Sequence, residues 1–123
     1  MKQAWIYIIS NFNRTSFYIG VTNDLERRIL EHKAGFGSTF TSKYKITDLL
    51  YYEVLPSISN AIDREKQIKN WHRQWKLNLI KENNPDFIDL AKDWFSAEDI
   101  EEFKQNQDYI FNGTNFKKDS ETS

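Results

Sequence analysis

Apolar and polar positions along the chain fall into runs whose period changes several times. Ala4-Trp5-Ile6-Tyr7-Ile8-Ile9 is β-branched and aromatic throughout, the pattern of a buried strand. Ser10 to Thr15 is turn chemistry, and Ser16-Phe17-Tyr18-Ile19-Gly20-Val21 reads as a second strand. The short connection predicts an antiparallel hairpin. The period then becomes helical. Asn23 is placed to cap, Glu26 completes a capping-box-like pair, Leu25 and Ile29 supply the apolar stripe, and Gly35 stops the helix. Residues 35–46 read as a loop rich in Gly, Ser, Thr and Lys. Asp48 to Leu55 is a third strand, ended by Pro56. Ser57 or Ser59 caps a helix with Ile58, Ile62, Ile68 and Trp71 at helical spacing, bending near His72-Arg73 and continuing from Trp75 to Ile80. Asn83-Asn84-Pro85 breaks it. A short helix over about 86–94 is expected next, then one opened by Ser96 and running through Phe103. From about Gln105 the polar composition and Gly113 predict a frayed end. The order β-β-α-β-α-α predicts an α+β fold, a three-stranded antiparallel sheet flanked by helices. The expected division is a body over 1–95 and an acidic extension over 96–123, partly helical or disordered.

Length and composition narrow the chemistry. A chain of 123 residues is one ordinary domain, able to bury a core without metal or disulfide staples. The absence of cysteine excludes a disulfide framework, a thiolate metal site and a cysteine nucleophile. Two histidines, His32 and His72, cannot fill a three-His zinc site. No signal peptide is read at the N-terminus and no run reaches the length of a membrane span, so a cytoplasmic location is expected. The net charge of -1 hides an asymmetry: residues 1–83 hold 13 basic and 8 acidic side chains, residues 84–123 hold 4 and 10. A mildly basic body is compatible with a polyanion-binding surface, and equally with an unevenly charged solvated one.

Four features carry candidate chemistry. Tyr7 and Tyr18 lie on adjacent strands and can be neighbours across the sheet. Arg28 and His32 share a helix face at i and i+4, a permanent cation suited to phosphate beside a group that titrates near neutral pH. Arg27 competes with Arg28 for the inward position, and the Leu25–Ile29 stripe does not decide between them. Glu65 shares a face with Ala61 and Ile68, where a carboxylate needs a partner or a metal. Gly20 inside a strand marks a bend or a close backbone approach. Together these suggest a phosphodiester site. No Walker loop, dinucleotide fingerprint or nucleophile elbow competes with it.

Trp5-Ile6-Tyr7, Tyr18-Ile19-Gly20, Asp24-Leu25-Glu26-Arg27-Arg28 with His32, and Ala61 through Lys69 with Trp71 resemble the GIY-YIG nuclease domain in its small stand-alone bacterial branch. The resemblance covers about residues 3–90. It implies a three-stranded antiparallel sheet and divalent-metal-dependent cleavage of DNA phosphodiesters in repair, recombination or mobile-DNA processing. It implies catalytic roles for Tyr7, Tyr18, Arg28, His32 and Glu65, with Glu65 holding one Mg²⁺ or Mn²⁺. Tyr7, Tyr18 or His32 is the general base, with Tyr7 first. The metal and the Arg28 charge would lower the phenol's pKa. Trp5 stands where the name motif has glycine, and Asn83 or Asn84 is the candidate for the family's late asparagine.

The expected partner is DNA, contacted by Gly20, Arg27, Lys43, Lys45, Lys69 and Arg73, bound with weak sequence specificity or with selectivity for branched or single-stranded structure, because no zinc finger or helix-turn-helix is present. Two alternatives stand beside the enzyme. One is a non-catalytic nucleic-acid-binding module. The other is a protein-interaction domain using Trp71, Trp75 and Trp94.

Overall fold

The computed structural model describes residues 2–107. Its sheet has three antiparallel strands, β1 (Ala4–Ser10), β2 (Phe17–Thr22) and β3 (Asp48–Leu55), in the order β2-β1-β3. Pairing of Tyr7 with Gly20 and of Ile8 with Ile19 fixes the hairpin register. A bulge between Ile8 and Ile9 shifts the register against β3. The α+β sheet-and-helix architecture matches the expectation.

Both faces of β1 are buried, which explains its unbroken apolar run. Ala4, Ile6 and Ile8 point to one face and meet Ala61 and Ile68 of α3 (Ile58–Lys69) and Ile80 of α4 (Arg73–Asn83). Tyr7 and Ile9 point to the other and pack on Leu25 and Ile29 of α1 (Leu25–Lys33). The sheet is therefore the middle layer, and its two cores are separate.

Several local expectations are corrected. Asp24, not Asn23, caps α1 by accepting from the Arg27 amide. Strand β2 runs on to Thr22, whose hydroxyl accepts from the Asp24 amide, so the cap falls one residue later and Glu26 does not complete a capping box. The loop over 35–46 contains a short helix, α2 (Thr39–Lys43), capped by Ser38. Ser57 caps α3. The bend near His72 is a full break, because α4 restarts after His72 without a side-chain cap.

The helix expected over 86–94 does not form. Residues 84–95 make turns and run as a strap along the β3 edge. Polar side chains hold that shape. Asp89 accepts from the Leu49 amide at 2.9 Å and from Lys33 Nζ at 2.6 Å, while the Leu90 amide donates to the Leu49 carbonyl. The buried Asn84 amide donates to the carbonyls of Leu50 and Ile88 and accepts from the Ile88 amide. The strap thus satisfies backbone groups that an edge strand would leave open. Beyond it, Ser96 and Asp99 exchange capping bonds and residues 97–107 are helical, so the expected fraying from Gln105 does not begin within the described residues. Gly113 lies outside them. Among the described residues no helix is long and apolar enough to cross a membrane.

Candidate active site

Tyr7 sits at the centre of β1 with no solvent exposure, and its ring leans over β2. Gly20 makes this possible. A Cβ there would lie 2.3 Å from Tyr7 Oη, so any side chain would push the phenol away. The glycine is a close-approach position, as its place in a strand suggested.

Helix α1 brings two side chains to the phenol. Arg28 Nε donates to Tyr7 Oη at 3.2 Å, and Tyr7 Oη lies 2.9 Å from His32 Nε2. Arg28 is therefore the inward arginine. Arg27 points outward, bonded to Glu31 at 3.2 Å. The far side of the imidazole, Nδ1, meets Thr41 Oγ1 of α2 at 3.2 Å. Thr41 Oγ1 also donates to the Ser38 carbonyl at 3.3 Å and lies 2.9 Å from Ser38 Oγ. With the ring hydrogen on Nδ1, Nε2 is free to accept the Tyr7 hydroxyl hydrogen. Tyr18 completes the cluster, its ring centroid 6.4 Å from that of Tyr7 and 5.8 Å from that of His32.

Burial sets the protonation states. It raises the Tyr7 phenol to about 12, outweighing the hydrogen bond and charge of Arg28, which act downward. Arg28 thus acts in the expected direction, and burial outweighs it. Burial, and then the Arg28 charge, lower His32 to about 4, so the imidazole is neutral at pH 7. Burial opposes the charge on Arg28, but bonds to Glu31 and Tyr7 more than offset it and hold the guanidinium protonated.

Three partners were not singled out in the sequence. Glu31 accepts from Arg28 Nη1 at 2.8 Å and orients its fork. Its i+3 spacing from Arg28 was the available signal. Thr41 had none, lying in a stretch that reads as loop. Gly37 also faces the imidazole: a Cβ there would lie 2.0 Å from His32 Nδ1.

The other expected residues lie elsewhere. Glu65 is on α3, paired with Lys69 at 3.2 Å, and no hydrogen bond joins it to the Tyr7 cluster. Ala61 and Ile68 of α3 face the sheet, and Arg64 on one flank of that stripe reaches Glu53 of β3. Glu65 lies on the opposite flank of that stripe. Arg73 stacks on Phe17 at 4.9 Å, and Lys43 lies over Tyr44 at 5.4 Å. Lys45 is exposed in a left-handed conformation. Asn84 is consumed by structural bonds, and exposed Asn83 bonds only to Leu79 of its own helix.

A model of the GIY-YIG catalytic domain matches residues 3–78. The chain belongs to the GIY-YIG family. That family is a nuclease superfamily whose members act on DNA and generally depend on a divalent metal. Small relatives also match this chain. A UPF0213 protein of Staphylococcus saprophyticus is 38% identical over 82 residues, which is 67% of this chain and 99% of that protein. One from Syntrophus aciditrophicus is 36% identical over 84 residues, 68% of this chain and 95% of that protein. The solution structure of a UPF0213 protein from Bacillus halodurans covers 76% of this chain and 99% of its own, at 26% identity and a TM-score of 0.47. Tyr7, Tyr18, Gly20, Arg28, His32 and Glu65 all fall inside the GIY-YIG match, whereas the strap and the helix over 97–107 lie beyond it.

Among the described residues no group of three or more His, Cys, Asp or Glu could cage a metal ion. Glu65 offers one hard oxygen donor on a side chain 20% exposed. That donor fits Mg²⁺ or Mn²⁺, which are commonly bound through one carboxylate with waters and substrate phosphate.

Proposed function

We propose that this GIY-YIG protein is a divalent-metal-dependent DNA endonuclease with Tyr7 as the group that takes the proton from the attacking water. The observation that carries the reading is the buried chain Arg28–Tyr7–His32–Thr41, in which a neutral phenol is hydrogen-bonded to a neutral imidazole.

As water attacks phosphorus, its proton passes to Tyr7 Oη while the phenol's own proton passes to His32 Nε2. The phenol stays neutral and the imidazole becomes imidazolium. No free phenolate is needed, so a phenol pKa near 12 is no obstacle. Arg28 binds the non-bridging phosphate oxygens through its remaining donors. The bound phosphate offsets the positive charge that depresses the imidazole, raising its proton affinity at the moment a proton arrives. Glu65 would hold a divalent ion, which when bound would supply Lewis-acid stabilisation of the leaving oxygen. Glu65 and Tyr7 lie on opposite faces of the sheet, and β2 is its edge strand. The scissile phosphate therefore bridges them at that edge, beside Gly20.

The test is cleavage of labelled DNA with Mg²⁺ or Mn²⁺ by wild type, Glu65→Ala and Arg28→Ala, with folding followed by circular dichroism. Activity in wild type and loss in both folded variants is expected. Cutting that survives both substitutions would sink the assignment.

A further inference from the structure

The rings of the Tyr7 cluster do not stop at Tyr18. Tyr18 and Phe40 lie 6.4 Å apart at 31°, and Phe40 and Tyr44 lie 5.0 Å apart at 52°. Phe40 belongs to α2 and Tyr44 follows it by one helical turn, so the two rings share a face. Both are 47% exposed. Single exposed aromatics are ordinary, but an exposed pair continuous with a catalytic cluster is not. Lys43 holds its ammonium over Tyr44, and exposed Lys45 follows. The helix over 97–107 places Phe103 on Phe36, leaving Phe40 and Tyr44 without that cover among the described residues.

We propose that Phe40 and Tyr44 form a base-stacking platform that takes unpaired bases next to the scissile phosphate, making single-stranded DNA the favoured substrate class. An accessible π-face serves only a base removed from its duplex partner, and stacking tolerates any sequence. Lys43 and Lys45 supply the phosphate contacts that hold the strand along the platform. The rings lead to Tyr18, so a strand seated on them delivers its backbone toward the β2 edge. This inference rests on the nuclease reading of the Tyr7 cluster.

Binding without cutting separates the two readings. A labelled oligothymidylate strand and a duplex are titrated in EDTA against wild type, Phe40→Ala, Tyr44→Ala and Tyr44→Phe, all full-length. These side chains are half-exposed, and circular dichroism checks that each variant folds. Wild type is expected to prefer the single strand. Each alanine variant should bind it about 5- to 100-fold more weakly, the range that base–aromatic stacking supports. Tyr44→Phe should retain binding, and weak duplex binding should change little. Preference for duplex, no DNA binding at all, or wild-type affinity in both alanine variants overturns the platform and leaves the patch to a protein partner. Tyr44-dependent strand binding without metal-dependent cutting would overturn the nuclease reading alone.

Discussion

Replacing Gly20 by alanine tests how tightly the phenol is placed. The new methyl carbon would lie 2.3 Å from Tyr7 Oη and 2.4 Å from its ζ carbon. Ordinary contact needs about 1 Å more, and the ring, fully buried on the packed α1 face, has no void to enter. Overpacking of this kind costs about 1–3 kcal/mol. A shift of about 1 Å also stretches the 2.9 Å bond to His32 beyond hydrogen-bond range, adding about 1 kcal/mol. The expected total is about 2–4 kcal/mol, read as a lowered urea midpoint with unchanged slope. Catalysis is hit harder, since a misplacement of that size costs about 100-fold in rate. Wild-type stability together with wild-type cleavage would refute the close approach and the need for it.

Further expectations follow from neighbouring contacts. His32 falls from 6.5 unfolded to about 4 folded, so the folded state binds fewer protons between those values. Its contribution is fully present above pH 6.5 and is lost as the pH drops toward 4, by up to about 3 kcal/mol; a pH series of thermal melts should show His32→Gln with a shallower fall than wild type. Asn84→Ala removes three bonds to the strap and to the bulged strand, and should lower stability by about 2–3 kcal/mol in urea titration while leaving the Tyr7 cluster intact. Asp89→Ala leaves Lys33 with only its bond to the Thr47 carbonyl, removes the acceptor of the Leu49 amide, and should cost about 2–4 kcal/mol, with faster hydrogen exchange at Leu49 and Leu90.

The strands were legible because β-branched and aromatic runs bounded by turn residues have little choice but to pair. The helices α1 and α3 were legible from period and caps, although Asn23 and Asp24 are both competent caps and only the hairpin's length decides between them. Helix α2 was not legible. Its five residues carry no apolar period and depend on the Ser38 cap and on Thr41 being buried against His32. The strap was misread as helix because Asn84 and Asp89 spend their side chains on backbone groups, an alternative to helical bonding that periodicity does not see. At the site, Tyr7, Arg28 and His32 were found from strand position, i,i+4 spacing and family resemblance. The stripe alone left Arg28 and Arg27 open, because both flank it; the resemblance pointed to Arg28, and its bond to Tyr7 turns it inward. Gly37 needed the structure, since it matters only because the imidazole lies against its backbone. The downward pull of Arg28 on Tyr7 was legible in the sequence, but the burial that outweighs it was not.

The central claim is that Tyr7 Oη relays the proton of the attacking water to His32. The most direct measurement is single-turnover cleavage of labelled DNA with Mg²⁺ by wild type and Tyr7→Phe, each with its DNA affinity measured in EDTA. Phenylalanine keeps the packing and removes only the relaying oxygen. The account predicts that affinity and fold persist while the cleavage rate falls at least 100-fold. A Tyr7→Phe protein that binds DNA normally and cuts it at the wild-type rate would contradict it.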